Sequence, residues 1–243
     1  MVTDKPQAIK QATLQASQVG SCCEAHAQTA ASNAEPFIVS LKDVETNAQD
    51  VGTSVKQVQT AKGKSRPMTP GEIDMAKSLF GESVDYAKVK VHNGEYLWFG
   101  LQDNDTAMTP NGQMYYPKNV YLEDFSTASD FTSKLLFMHE MVHIWQHQLG
   151  YPVKWVGMQR WRLSYAYIFG EGKLLSDFDM EAQGNVLSDY WALKNYDGTV
   201  RLWQRDYADR LDLYEVALSV FLKNPASKEN LPQRKNKQEA KSD

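Results

Sequence analysis

The stretch Phe137-Met138-His139-Glu140-Met141-Val142-His143-Ile144-Trp145 constrains the fold of this chain more than any other. With Leu135 and Leu136 before it, the segment is apolar nearly all round, which marks a buried helix. Buried His and Glu side chains need partners. Positions i and i+4 share a helix face, so His139 and His143 can bind one metal ion. Glu140 sits one residue on, where it can reach a water on that ion. Two imidazoles and a carboxylate base in a His-Glu-x-x-His pattern are the arrangement of zinc hydrolases, with a third ligand from elsewhere in the chain. The pattern predicts a bound Zn2+, with His139 and His143 as ligands and Glu140 as the catalytic base.

Much of the rest of the chain is organised around that helix. Phe37 is the only aromatic residue before Pro67, and the other 26 aromatics follow it. Residues 1–65 are therefore expected to be a mobile polar leader, with Pro36-Phe37-Ile38-Val39-Ser40-Leu41 as its one apolar spot and a possible docking segment. Residues 66–223 make the expected domain, and residues 224–243 a disordered charged tail. A net charge of −4 gives no basic field for a nucleic-acid partner. The adjacent Cys22 and Cys23 neither staple a fold nor have zinc-ligand spacing. No apolar run approaches the ~18 residues of a membrane span, and the first 30 residues hold no signal-peptide core. If this protein leaves its cell, it is expected to be secreted without a signal peptide.

Thr69-Pro70-Gly71-Glu72 reads as a capping box opening a helix that runs to about Leu79 or Phe80 and is closed by Gly81. Tyr86 to His92 alternates with period two and reads as a strand. Thr106–Thr109 and Gln113–Tyr116 flank Pro110-Asn111-Gly112 and read as a β-hairpin. The metal-binding helix should start near Ser129 or Asp130 and end at Leu149-Gly150. His147 lies one turn beyond His143 and is read as surface or supporting, because three turns of one helix cannot all reach one ion. His26, in the leader, and His92, at a strand end, carry no signal.

Further on, Ser176 to Leu193 reads as a helix capped by Ser176 or Asp177, with Glu181 in its second turn. Glu181 suits the third ligand position. Asp177 and Asp179 are rivals, but a capping role accounts for them. Asn185 and Asp189 follow on a similar face, where either could hold an imidazole by its second nitrogen. The aromatic segment Trp155–Phe169 is core or cleft wall. Tyr167 is the first candidate to donate to an oxyanion, and Tyr165 the second. Leu202 to Leu222 reads as one last amphipathic helix, with Tyr207, Leu211, Tyr214, Leu218 and Phe221 as its core stripe.

His139-Glu-Met-Val-His-Ile-Trp-Gln, Tyr165-Ala-Tyr167, Phe178-Asp-Met-Glu-Ala-Gln183 and Ser188-Asp-Tyr190 together resemble the metallopeptidase domain attached to some type VI secretion spike (VgrG) proteins, and their stand-alone Vgr-related relatives. The match runs from about Met68 to Leu193, roughly half the chain. His-Glu-x-x-His is shared by many unrelated peptidases, and the Tyr-x-Tyr and Glu-x-Gln blocks are more specific. The resemblance implies an α+β, zincin-like fold, with a small antiparallel sheet or hairpin beside the active-site helix. It implies glutamate, here Glu181, as third zinc ligand, and peptide-bond hydrolysis of a peptide or protein substrate. It also implies an antibacterial toxin acting in the periplasm of a rival bacterium, with a secretion-spike carrier and an immunity protein as partners. The alternatives are a peptidoglycan endopeptidase and an inactive zinc-containing binding module of a secretion particle. This chain departs from the pattern in lacking the spike, and in having Glu-Ala-Gln-Gly where Glu-Gln-Gln-Ala is more usual. Gly184 inside a helix costs about 1 kcal/mol.

Overall fold

Asp130 begins the helix that carries the motif. Its carboxylate accepts the backbone N–H of Thr132 and of Ser133, both at 3.1 Å, and α2 then runs from Phe131 to Gln148. The computed structural model describes residues 59–97, 105–159, 162–196 and 200–233. The expectations for residues 1–58, with Cys22, Cys23, His26 and Phe37, and for residues 234–243 fall outside them.

Ahead of α2, α1 (Pro70–Phe80) forms where its capping box places it. Thr69 Oγ1 accepts Glu72 N–H and the Glu72 carboxylate accepts Thr69 N–H, while Gly81, at φ 54°, ends the helix. Glu72 does more than cap. It is fully buried, takes both terminal nitrogens of Arg66 at 2.8 Å, and accepts Phe125 N–H at 2.9 Å. One carboxylate thus ties β1 (Ser65–Pro67), α1 and the turn before α2 into one corner. The expected leader therefore ends earlier than residue 65. Thr60 also bonds Glu123, through both its N–H and its hydroxyl.

The sheet has the order β1-β2-β3, with β2 at Lys90–Asn93 and β3 at Met114–Tyr116. β1 and β2 are antiparallel, with Ser65 opposite His92, and β2 and β3 are parallel, with Val91 opposite Met114. This corrects two expectations. The strand expected from Tyr86 covers only Lys90–Asn93, because Tyr86–Lys88 forms a 3-10 turn and the Tyr86 hydroxyl donates back to Gly81 O. The hairpin is reduced to a single bridge, Met108 with Tyr115, and β3 spends its other edge on β2, so the sheet is mixed, not antiparallel. Gly112 turns the chain at φ 76°, and a Cβ there would meet the His147 ring at 2.5 Å. His147 lies against that turn.

α2 packs along α4 (Met180–Asn195), with 11 of 18 residues of the first and 13 of 16 of the second buried. α4 starts later than expected. Leu175–Asp177 is a 3-10 turn in which Asp177 accepts Leu174 N–H, so Asp179 is the N-cap residue and Glu181 stands in the first turn. The expected final helix is two short ones, α5 (Leu211–Ala217) and α6 (Ser219–Lys223), which follow the short α3 (Val153–Gly157) and α4 in chain order. It does not begin at Leu202: the only helical turn between there and Leu211 is the 3-10 turn Arg205–Tyr207, and the N–H groups of Trp203 and Gln204 donate to the Asp189 carboxylate. Tyr214, Leu218 and Phe221 are buried as the stripe predicts. Residues 224–233, expected to be disordered, are anchored at two points: Trp145 Nε1–H donates to Pro225 O, and Gln183 Nε2–H to Asn230 O. Among the described residues no helix is long and apolar enough to cross a membrane.

Candidate metal centre

Four residues of α2, Leu136, His139, Glu140 and His143, share one face by their spacing and form the floor of a cleft of about 780 Å³. Glu181 comes to the same point from the first turn of α4. Its Oε2 lies 3.2 Å from His139 Nε2 and 3.2 Å from His143 Nε2, and the two nitrogens are 3.2 Å apart. All three residues are buried, and together they could hold one metal ion.

The second nitrogen of each ring is fixed. His139 Nδ1 meets Asn185 Oδ1 at 2.9 Å, and His143 Nδ1 meets Gln146 Oε1 at 2.8 Å. The amide orientations are settled by their other ends: Asn185 Nδ2 donates to Tyr165 O, and Gln146 Nε2 to Met180 O and to Gln183 Oε1. Both imidazoles must therefore donate from Nδ1, so in the neutral rings the Nε2 lone pairs face Glu181. Of the two supporting candidates read from sequence, Asn185 holds an imidazole and Asp189 does not. Gln146 was missed, although its i+3 spacing from His143 was the available signal.

Electrostatics at this point favour a cation. Burial works against charge on Glu181, yet the two imidazoles hold its carboxyl far below the usual range. Burial would lower His143, and the Glu181 charge overcomes this and raises it to about 9. Glu140 stands beside the group, with Thr109 Oγ1–H donating to its Oε2 at 2.6 Å. Nothing local in the sequence pointed to Thr109, which is 31 residues away.

Gly184 explains its own presence in a helix. A Cβ there would lie 2.5 Å from His139 Cε1, so the glycine gives the ring room against α4.

Tyr167 does not reach the cleft. It is buried, and its hydroxyl donates to Asp189 Oδ2 at 2.7 Å and makes a short hydrogen bond with the Tyr214 hydroxyl. Burial and the Asp189 charge push its pKa far above the ordinary phenol value. Tyr165 lines the cleft instead, with its ring nearly parallel to that of His139 at 6.4 Å. Trp203 closes the same side, its ring 6.0 Å from His139, and it too was missed.

No protein-family model matches the sequence. Over 138 residues, 54% of its length, the chain is 38% identical to the type VI secretion system spike protein VgrG2b of Pseudomonas aeruginosa. It covers 13% of that protein. The solved effector domain of Pseudomonas aeruginosa VgrG2b superposes with a TM-score of 0.51 at 31% identity, over 69% of this chain and 88% of that one. The chain belongs to the family of the VgrG2b effector domain.

Proposed function

We propose that this chain is a zinc-dependent endopeptidase of zincin type, delivered to rival bacteria by a type VI secretion system and toxic in their periplasm. The observation that carries the chemistry is the convergence of His139 Nε2, His143 Nε2 and Glu181 Oε2 at 3.2 Å from one another, on a cleft floor beside Glu140. A four-coordinate zinc with bonds of about 2.0–2.1 Å sets its ligand atoms about 3.3 Å apart, so the donor set fits. Closed structural zinc sites take four protein ligands, often cysteine. Among the described residues the group has three members, which leaves a place for water.

Zinc held there would acidify that water and polarise a substrate carbonyl. The residues do the rest. Glu140 takes the proton of the attacking water on its carboxylate and returns it to the leaving amine nitrogen. Thr109 orients that carboxylate through Oε2. Tyr165, on the cleft wall, takes the part expected of Tyr167 and donates its hydroxyl to the carbonyl oxygen as charge develops there. Extended substrate is held by backbone pairing. Both Met108 backbone groups are bonded to Tyr115, and Ala107 and Thr109 on either side of it line the cleft.

Delivery rests on kinship. The relative is named as a spike protein, and this chain spans 13% of it; association with a secretion spike and an immunity protein in the producing cell belong to the proposal. The test is purified, zinc-loaded protein on a mixture of denatured proteins, with Glu140→Gln as control and fragments read by mass spectrometry. Cleavage by the wild type alone supports the reading. Full zinc with no cleavage would make the chain a binding module. Expression with an export signal should be toxic and cytosolic expression should not; equal toxicity would move the target.

A further inference from the structure

The cleft is apolar well beyond the three donors and Glu140. Among the described residues that line it, only Asp105 and Lys154 carry charge outside that group. Beside His139 stand Leu136, Tyr165 and Trp203. Met180, Val153 and Met158 line the cleft as well, and the Met180 Cε lies 3.8 Å from where a Cβ on Gly157 would be. Three of these residues are open to solvent at the mouth: Met158 is 58% exposed, Tyr165 49% and Trp203 40%.

Trp203 is placed there deliberately by the fold. Its backbone N–H goes to Asp189 Oδ1 at 2.8 Å and its Nε1–H to Ser188 Oγ at 3.1 Å, so the indole is fixed at both ends. A fixed aromatic wall and two methionines around a volume of about 780 Å³ suit a large apolar group, which gains by leaving water.

We propose that the cleft selects extended polypeptide with a large apolar side chain next to the scissile bond, and does not take the small and charged residues of peptidoglycan cross-links. This rests on the peptidase reading. It places the substrate among proteins that expose apolar segments, and it separates the chain from a cell-wall endopeptidase.

The test digests a peptide mixture of broad composition with zinc-loaded wild-type protein and reads the cut sites by mass spectrometry. One position flanking the cut should be enriched about tenfold or more in Leu, Met or Phe, the size of discrimination apolar pockets give. Intact sacculi should release no muropeptides. Cutting without enrichment, or muropeptide release, overturns the proposal and leaves a hydrolase standing. Absence of all cutting defeats the peptidase reading, and selection is then read by binding. Glu140→Gln protein should bind a blocked peptide with a central Leu at least about tenfold more tightly than the same peptide with Ser, and equal affinity overturns the proposal. Met158→Glu alters an exposed side chain and should bring Lys and Arg into the enriched position. An unaltered cleavage profile counts against the assigned cleft.

Discussion

Two buried carboxylates two turns apart on α4 show how a site differs from a scaffold. Glu181 collects two imidazole nitrogens, neither of which needs to donate to it, because each ring's N–H goes to an amide oxygen. A positive charge completes it, carried by a protonated His143 or by a metal ion. Asp189 collects donors: Tyr167 O–H, Trp203 N–H and Gln204 N–H. It needs nothing more. The first cluster opens on the cleft, and the second is closed off by Tyr167 and Tyr214. Burial, charge and helix are shared, so the difference lies in whether the neighbours accept or donate. A carboxylate among imidazoles draws a positive charge to its cluster, and one among donors is part of the core.

Glu140→Gln should break the open side hardest. Turnover is expected to fall by about 10²–10⁴, with zinc content and melting temperature kept. Activity within about tenfold of wild type would remove Glu140 as the base. Asp189→Ala should break the closed side. It leaves three donors without an acceptor and should cost about 4 kcal/mol in urea unfolding. A cost below about 1 kcal/mol would mean the cluster does not hold the loop that carries Trp203.

The pH course of stability sharpens the contrast. Burial pushes the Asp189 carboxyl up to about 6, against its three donors. A folded value above the unfolded one means a contribution fully present below about pH 4 and lost as pH rises through 6. The stability of wild type relative to Asp189→Asn should therefore shrink between pH 4 and 7, by up to about 3 kcal/mol. A difference that grows with pH would show that the donors outweigh burial.

The two tyrosines give the smallest expected effects, in opposite directions. Tyr167→Phe should cost about 1 kcal/mol of stability and leave kcat within about threefold. Tyr165→Phe should leave stability within about 0.5 kcal/mol and lower kcat by about tenfold or more, with KM little changed. Reversed results would return the oxyanion role to Tyr167.

What the sequence made legible was local. The His139–His143 spacing and the capping box at Thr69 each need only a few neighbouring residues. Glu181 could be picked from its stretch because its rivals looked like caps, although the helix starts later than the pattern suggested. Tyr165 and Tyr167 could not be told apart locally. The environment of Tyr167 is set by Asp189 and Tyr214, 22 and 47 residues beyond it. Thr109 was invisible for the same reason. Gly184 read as a weakness of the helix, and only the approach of His139 reveals why the Cβ is missing. The parallel pairing of β2 with β3 is likewise long-range, since the turn at Pro110–Gly112 spoke for a hairpin alone.

The most direct test of the account is zinc bound per chain, measured by mass spectrometry after dialysis against a weak chelator. Wild type, Asp177→Ala, Asp179→Ala and Asp189→Asn should each retain about one zinc, and Glu181→Ala should retain almost none. Full occupancy in Glu181→Ala, or zinc lost from Asp177→Ala or Asp179→Ala, would move the third ligand and contradict the assignment on which the proposed chemistry stands.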